Sequence, residues 1–451
     1  MFKNPIFLVG FLLLLVACQT KNKNTDAGFI DGHPAWMMQG NIYEVNIRQY
    51  TPEGTFRAFE AHLDRLRDMG VHTLWFMPIQ PISKKDRKGT LGSYYAVSDY
   101  TGINPEYGSM DDWKHLVEAA HAKGFKVMMD WVPNHSGADH YWLTKHPDFY
   151  VRDSAGNAIS QFDWTDTRKL DHNNPELRDT MIEQLKFWIR ESNIDGYRCD
   201  MAHLVPKEFW IPCVRELKKM KNIFMLAEAD ADWLHAAGFD ATYGWPEFHL
   251  MNDIAAGKKK PADLVAFLHQ LDSTFPANAI RLRFTSNHDE NSWNKADYGT
   301  LPGPVHAPFS VLTQTLPRSL PLVYSGQEEP VLRAIPFFEK DTIVFKQLGR
   351  ASFYQTLHQL RKNNTALQPN AACVFLVNSQ PEEVLAFIRE NGKSKVLILV
   401  NLSAKPVNCT IKDATIAGKY RNIFSNSIES FTADANFALD PWGYKVYEIN
   451  Q

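Results

Sequence analysis

Three acids in this chain each follow an apolar, strand-like run. Asp200 ends "IDGYRCD", Glu228 ends "NIFMLAE", and Asp289 follows "RLRFTSNH". An earlier run, "FKVMMDWVPNH", brings Asp130, Asn134 and His135 to a similar position. Alternate residues of a strand share a face, so Arg198 and Asp200 point one way while Tyr197 and Cys199 point the other. Arg198 beneath Asp200 is expected to keep that carboxylate ionised and fixed in direction. Glu228 follows Leu226 and Ala227, and partial desolvation there is expected to keep it protonated near neutral pH. One ionised carboxylate, one protonated carboxyl and a third anion are the groups that glycoside cleavage with retention requires. Asp200 suits the nucleophile, Glu228 the acid/base and Asp289 the stabilising anion, with His135 and His288 as donors to sugar hydroxyls. A purely structural Arg198–Asp200 ion pair is the competing account. Acids at four strand ends argue against it, because one apolar pocket cannot hold that many for stability alone.

The surrounding pattern supplies the elements that must carry these residues. Eight strand-like runs alternate with helix-like runs: "GNIYEVNIRQY", "HTLWFMPI", "FKVMMDWV", "IDGYRCD", "NIFMLAEA", "FDATYGW", "AIRLRFTSNHD" and "SLPLVYSGQE". That alternation predicts a closed (β/α)8 barrel over 34–363, whose active sites open at the C-terminal ends of the strands. The connection after strand 3 contains no clean helix–strand unit, which predicts an inserted subdomain at about 135–173. After 363 the runs shorten and are split by turns, with "ENGK" as a hairpin signal. A C-terminal all-β sandwich is therefore expected over 364–451.

The net charge of −3 gives no excess of cations for nucleic acid. The chain begins with Lys3 and an apolar run from Ile6 to Ala17, too short to span a bilayer comfortably, so 1–17 reads as a secretory signal. The run ends in "LVAC", which resembles a bacterial lipobox; Cys18 is then the lipidated first residue of the mature protein. A polar stretch over 18–33 reads as a flexible tether. The expected location is outside the cytoplasm on a bacterial membrane, periplasm-facing because "QTKNKN" carries no acidic cluster. The lipid is the only membrane contact expected, and a monomer is expected. Cys199, Cys213, Cys373 and Cys409 have no metal-type spacing; a Cys373–Cys409 disulfide and buried thiols both fit.

Taken together, "DWVPNH", "GYRCDMAH", "MLAEA" and "TSNHD" resemble, in order, the four signature regions of the α-amylase family, glycoside hydrolase family 13. The family's barrel, inserted subdomain and C-terminal β-sandwich match the same organisation. The resemblance implies an α-glucan substrate, the three roles given above, and Tyr95 in "GSYYAVSD" as the tyrosine that stacks on the sugar. It also implies departures. Asn134 and His203 match two ligands of the calcium that many α-amylases bind. Lys169, however, stands where an aspartate ligand would be, and its ammonium would replace the metal's charge. Calcium is accordingly disfavoured and no cofactor is expected to be required. Ala202-His203 replaces a Lys-His pair, and Met201 matches neither of the residues associated with 1,4 or 1,6 preference. Two alternatives share these residues: a glucosyl transferase or isomerase with the same three acids, and a non-catalytic carbohydrate-binding relative, from which one or more of the acids is usually lost.

Overall fold

The computed structural model describes residues 28–449. The expected signal 1–17 and the lipidation site Cys18 lie outside the described residues. Eight parallel strands close into a barrel: β1 Ile42–Val45, β2 Thr73–Phe76, β3 Lys126–Trp131, β4 Gly196–Cys199, β5 Phe224–Ala227, β6 Ala241–Tyr243, β7 Ile280–Arg283 and β8 Ser319–Tyr324. The pleat sorts their side chains. Trp75, Met128, Phe224, Leu226, Leu282 and Leu322 fill the barrel interior. Leu74, Phe76, Met129, Tyr197, Met225 and Ala227 pack outward against helices.

Those helices start and stop where local chemistry requires it. Ser109 and Asp112 form a capping box at the start of Met110–Ala122. Asn174 caps Pro175–Ser192, which has Pro at its first position and ends at Asn193 in the left-handed region (φ 54°). Asp195 then turns the chain into β4. One of its oxygens accepts from His121 Nε2 (2.7 Å) and from the Val127 amide (2.9 Å), while the other meets Lys221 Nζ (2.8 Å).

The insertion after β3 is a short antiparallel ribbon, His135–Gly137 with Thr167–Lys169, joined by a long loop with one helical turn, Trp142–Lys145. The C-terminal domain holds a six-stranded and a two-stranded antiparallel sheet. Its strand Val384–Asn391 shows the period-2 rule: Leu385 and Phe387 join barrel helix residues such as Leu264, Leu312 and Leu357, while Val384, Ala386 and Ile388 face Cys409, Ile411 and Phe437 of the small sheet. All four described cysteines are free thiols, Cys373 and Cys409 included.

The 18–33 tether is corrected at its end. Phe29–Ile30 pairs with His33–Pro34, and His33 is buried between Asp240 Oδ1 (3.0 Å) and the carbonyl of Asn278 (2.8 Å). A histidine with partners on two barrel segments cannot belong to a free tether, so the folded part begins by about residue 28 rather than 34. No helix among the described residues is long and apolar enough to cross a membrane.

Burial pushes the Asp195 carboxyl up, but His121 and Lys221 more than offset this and bring it down to about 2. A folded pKa below the unfolded value stabilises above about pH 4, and that stability is lost as pH falls towards 2. Asp195→Ala is expected to destabilise the fold by about 3 kcal/mol at pH 7. It should also flatten the acid limb of a urea-stability profile between pH 5 and about 2. An unchanged profile would remove this ion-pair account.

Candidate active site

The ladders of β3, β4 and β5 run on past the strands to place the acids. The Asp200 amide donates to the Trp131 carbonyl (2.8 Å) and the Glu228 amide to the Cys199 carbonyl (3.0 Å). Asp130 is paired in register with Arg198 across β3 and β4. Arg198 is fully buried, and its guanidinium holds three carboxyls: Nη1 lies 3.0 Å from Asp130 Oδ1 and 3.1 Å from Asp200 Oδ1, and Nη2 lies 2.8 Å from Glu228 Oε1. Its Nε donates to the Tyr243 hydroxyl (3.2 Å), and the rings of Trp75, Tyr95 and Tyr243 surround it. Glu228 Oε2 accepts the backbone N–H of Met201 (2.8 Å). Met201 adopts φ 43°, a left-handed conformation that a non-glycine residue holds only under constraint. That constraint aims the amide following Asp200 at Glu228.

Burial raises both working acids. Asp200 is pushed up to about 6, with Arg198 opposing the rise and Asp130 adding to it. Glu228 is pushed up to about 7 by burial, opposed by Arg198 and reinforced by Asp200 and Asp289. The expectation that Arg198 dominates at Asp200 needs adjusting, since burial outweighs the cation. Both carboxyls are raised by burial, and Arg198 offsets the rise only in part. For Asp289, burial is outweighed by His288, which holds the carboxyl below its ordinary range. More than a third of the Asp289 side chain remains open.

His288, expected to donate to sugar hydroxyls, has protein partners at both ring nitrogens. It is buried, with Nδ1 2.5 Å from Glu44 Oε1. Its Nε2 is shared between the Tyr95 hydroxyl (2.8 Å) and Asp289 Oδ2 (3.2 Å). Burial would remove its charge, but Asp289 and Glu44 keep its pKa well above the usual histidine value. It is a cation that positions Asp289 and Tyr95. Arg198 lies beneath the acids, in contact with three of them. Tyr95 stacks on His288 (5.5 Å between centroids, 22° between planes) and donates to Asp130 Oδ2 (3.1 Å).

Tyr95, His135, Asp200, Glu228 and Asp289 line one cavity of about 420 Å³, a volume typical of small-ligand sites. Burial lowers the His135 pKa to about 4, so its ring is neutral, with Nδ1 accepting from Asn134 Nδ2 (3.1 Å). Sequence reasoning missed much of the wall: Lys88 and Ser93 after β2, Asp163, Trp164, Asp166 and Thr167 in the insertion, Trp293 after β7, and Phe337 and Phe338 after β8. The aromatic residues among them carry no periodic signal. Only their place in long loops after barrel strands could have marked them.

At the position of the disfavoured calcium, Asn134 Nδ2 donates to Gln161 Oε1 (3.1 Å) and to His135 Nδ1, His203 is exposed, and Lys169 pairs in register with His135. Among the described residues no group of three or more His, Cys, Asp or Glu side chains is arranged to hold a metal.

Comparison with known proteins accords with this geometry. The model of the α-amylase catalytic domain matches residues 19–166 and 159–332. The chain belongs to the α-amylase family. Its members are glycosidases acting on O-glycosyl bonds. Residues 374–446 match the C-terminal domain of maltogenic amylases. The chain is 25% identical over 427 residues to α-amylase MalA of Haloarcula japonica, covering 89% of this chain and 62% of that protein. It is 26% identical over 425 residues to a cyclomaltodextrinase from Bacillus sp., covering 82% and 73%. The solved maltogenic α-amylase AmyB of Thermotoga neapolitana superposes with a TM-score of 0.84 at 29% identity, over 92% of this chain and 100% of that one.

In the roles expected of them, nucleophile and acid/base, turnover needs Asp200 ionised and Glu228 protonated. The kcat/KM profile on an unactivated oligosaccharide is therefore expected to be bell-shaped, rising near pH 6 and falling near pH 7. Glu228→Gln should cost about 10²–10⁴-fold on that substrate. On an aryl glucoside whose leaving group needs no proton, the alkaline fall in the glycosylation rate should disappear with it. Retention of that fall in the variant would assign it to another group.

Proposed function

We propose that this protein hydrolyses α-glucosidic bonds of starch-derived or related oligosaccharides by double displacement with retention. The observation that carries the reading is one buried guanidinium touching both the ionised and the protonated acid at the floor of a sugar-sized cavity. The reach of one planar group fits the close carboxyl pairing of retaining enzymes, about 5 Å, better than the wider spacing that inversion needs for water.

In the first displacement Asp200 attacks the anomeric carbon as the glycosidic C–O bond breaks, and Glu228 gives its proton to the leaving oxygen. A glycosyl ester of Asp200 results. In the second, Glu228 takes a proton from water while the water oxygen attacks the anomeric carbon and the ester bond breaks. Asp289, open to the cavity and kept anionic by His288, stabilises the oxocarbenium-like charge in both steps. Tyr95 offers its ring and His135 lines the same wall. The names of the relatives, maltogenic amylase and cyclomaltodextrinase among them, support an α-glucan as substrate.

The test is a digest of maltoheptaose followed by proton NMR. Short maltooligosaccharides released first as the α-anomer are expected. Initial β-anomer would overturn double displacement, and products longer than the substrate would favour the transferase reading.

We further propose export as a lipoprotein acylated at Cys18 and facing the periplasm. The short apolar run and "LVAC" support it. Cys18→Ser is expected to move the protein from the membrane pellet to the soluble fraction and to abolish labelling by a palmitate analogue. An unlabelled wild-type protein would remove the anchor.

A further inference from the structure

The loop after β2 contains "SKKDRKGTLG", Ser83 to Gly92, which reads in sequence as a solvated charge run. In the fold it is a strap fastened at both sides. Towards the insertion, Asp139 Oδ2 accepts the amides of Lys84 (2.7 Å) and Lys85 (3.1 Å), and Asp86 pairs with Arg168 (2.7 Å). Towards the loop after β8, the Leu91 amide donates to the Phe338 carbonyl (3.0 Å), and Thr90 bonds Glu339 through both its amide and its hydroxyl. A Cβ on Gly89, at φ 61°, would stand 2.5 Å from Phe338 Cβ, so the strap passes this wall with no room for a side chain there.

At the centre of the strap, Lys88 reaches over to the insertion. Its Nζ donates to the Asp163 carbonyl (2.9 Å) and stands 4.0 Å from Asp166 Oδ1, a loose ion pair. The Asp166 side chain is only 4% exposed, and its Oδ2 is buried without a hydrogen-bond partner. Lys88, Asp163 and Asp166 all line the catalytic cavity. The ammonium is not closed upon the carboxylate, and the 4.0 Å gap between Lys88 Nζ and Asp166 Oδ1 lies at the cavity wall. A sugar hydroxyl, which both donates and accepts, can bridge it.

The position of this wall fixes which end of the sugar chain meets it. The proton donor Glu228 stands on β5, so the leaving sugar departs on that side. The strap follows β2 and is held by the loop after β8 on one side and by the insertion after β3 on the other, so Lys88 stands on the β8–β1–β2 side of the barrel mouth, away from β5, and Asp166 reaches it from the insertion. The wall therefore faces the glycosyl portion that stays on Asp200, towards its non-reducing end.

We propose that Lys88 and Asp166 form a chain-end subsite, binding hydroxyls of the non-reducing terminal sugar, so that the enzyme removes a short unit of fixed length from chain ends. The proposal rests on the glycosidase reading above, and its test separates the two. Wild-type enzyme is given p-nitrophenyl maltoheptaoside with the non-reducing end free, and the same compound with its terminal 4- and 6-hydroxyls blocked by an ethylidene group. Release of fixed-length short products from the free compound, with at least tenfold slower attack on the blocked one, is expected. Equal rates would overturn the chain-end subsite and leave the glycosidase reading standing; cleavage of neither compound would overturn both. Lys88→Ala and Asp166→Asn should each raise KM for the free compound about tenfold with a smaller effect on kcat, the loss of one hydrogen bond to a charged group. Both should also narrow the free-to-blocked ratio, while Lys88→Arg restores it. Variants that lower kcat alone, or leave that ratio unmoved, would reduce the pair to a structural tie.

Discussion

The site depends on a shortage of positive charge around Arg198. Two cations, Arg198 and His288, face five carboxyl groups: Glu44, Asp130, Asp200, Glu228 and Asp289. Four of these are buried and Asp289 is partly open; all five cannot be ionised against two cations, because each uncompensated charge in a dry interior costs several kcal/mol. Protons must remain, and the geometry decides where. Asp289 shares an ion pair with His288 and stays ionised, while burial raises Asp130 and Asp200 to about 6 and Glu228 to about 7. The acid proposed as proton donor is thus one that burial disfavours as an anion.

That distribution would be lost if the groups could move, and the barrel prevents it. Asp200 and Glu228 each continue a parallel ladder by one backbone hydrogen bond, and Asp130 lies inside β3 itself. The left-handed Met201 then brings an N–H to Glu228 from the residue directly after Asp200. A hydrogen bond to the carboxylate form lowers a pKa, so this contact restrains the rise that burial causes and holds the Glu228 side chain in direction. Position and protonation are set together by the same few contacts.

The strand order and the three acids could be read from the sequence because both rest on local signals. Apolar runs of strand length alternate with capped amphipathic segments, and a polar residue at the end of such a run stands out. What could not be read depends on partners far along the chain. His288 looked like a sugar contact because nothing near it announces Glu44, 244 residues away, or Tyr95, 193 residues away. The end of the supposed tether was misjudged for the same reason, since His33 finds Asp240 across 207 residues. The strap was hidden in a different way. A run of lysine, aspartate and arginine has the composition of a solvated loop, and only the insertion on one side and the Phe338 loop on the other make it a wall.

The other buried arginines show why partner chemistry, rather than burial, makes Arg198 an active-site residue. Arg361 and Arg389 are as deeply buried, at the junction of the barrel with the C-terminal domain. They donate only to backbone carbonyls: Arg361 to Gly40, Gln314 and Ser319, and Arg389 to carbonyls that include Thr315, Leu316 and Gln368. Carbonyl dipoles satisfy the donors but supply no countercharge, so burial lowers these groups to about 9 and about 10. They tie segments together and leave no acid perturbed. At Arg198 burial acts in the same direction, but Asp130 and Glu228 more than offset it and raise the group well above its ordinary value. A cation held that firmly cannot give up its proton, so every change of protonation during turnover falls on the carboxyls. The same side chain that ties segments together elsewhere in this fold sits, between β3 and β5, against three carboxyls.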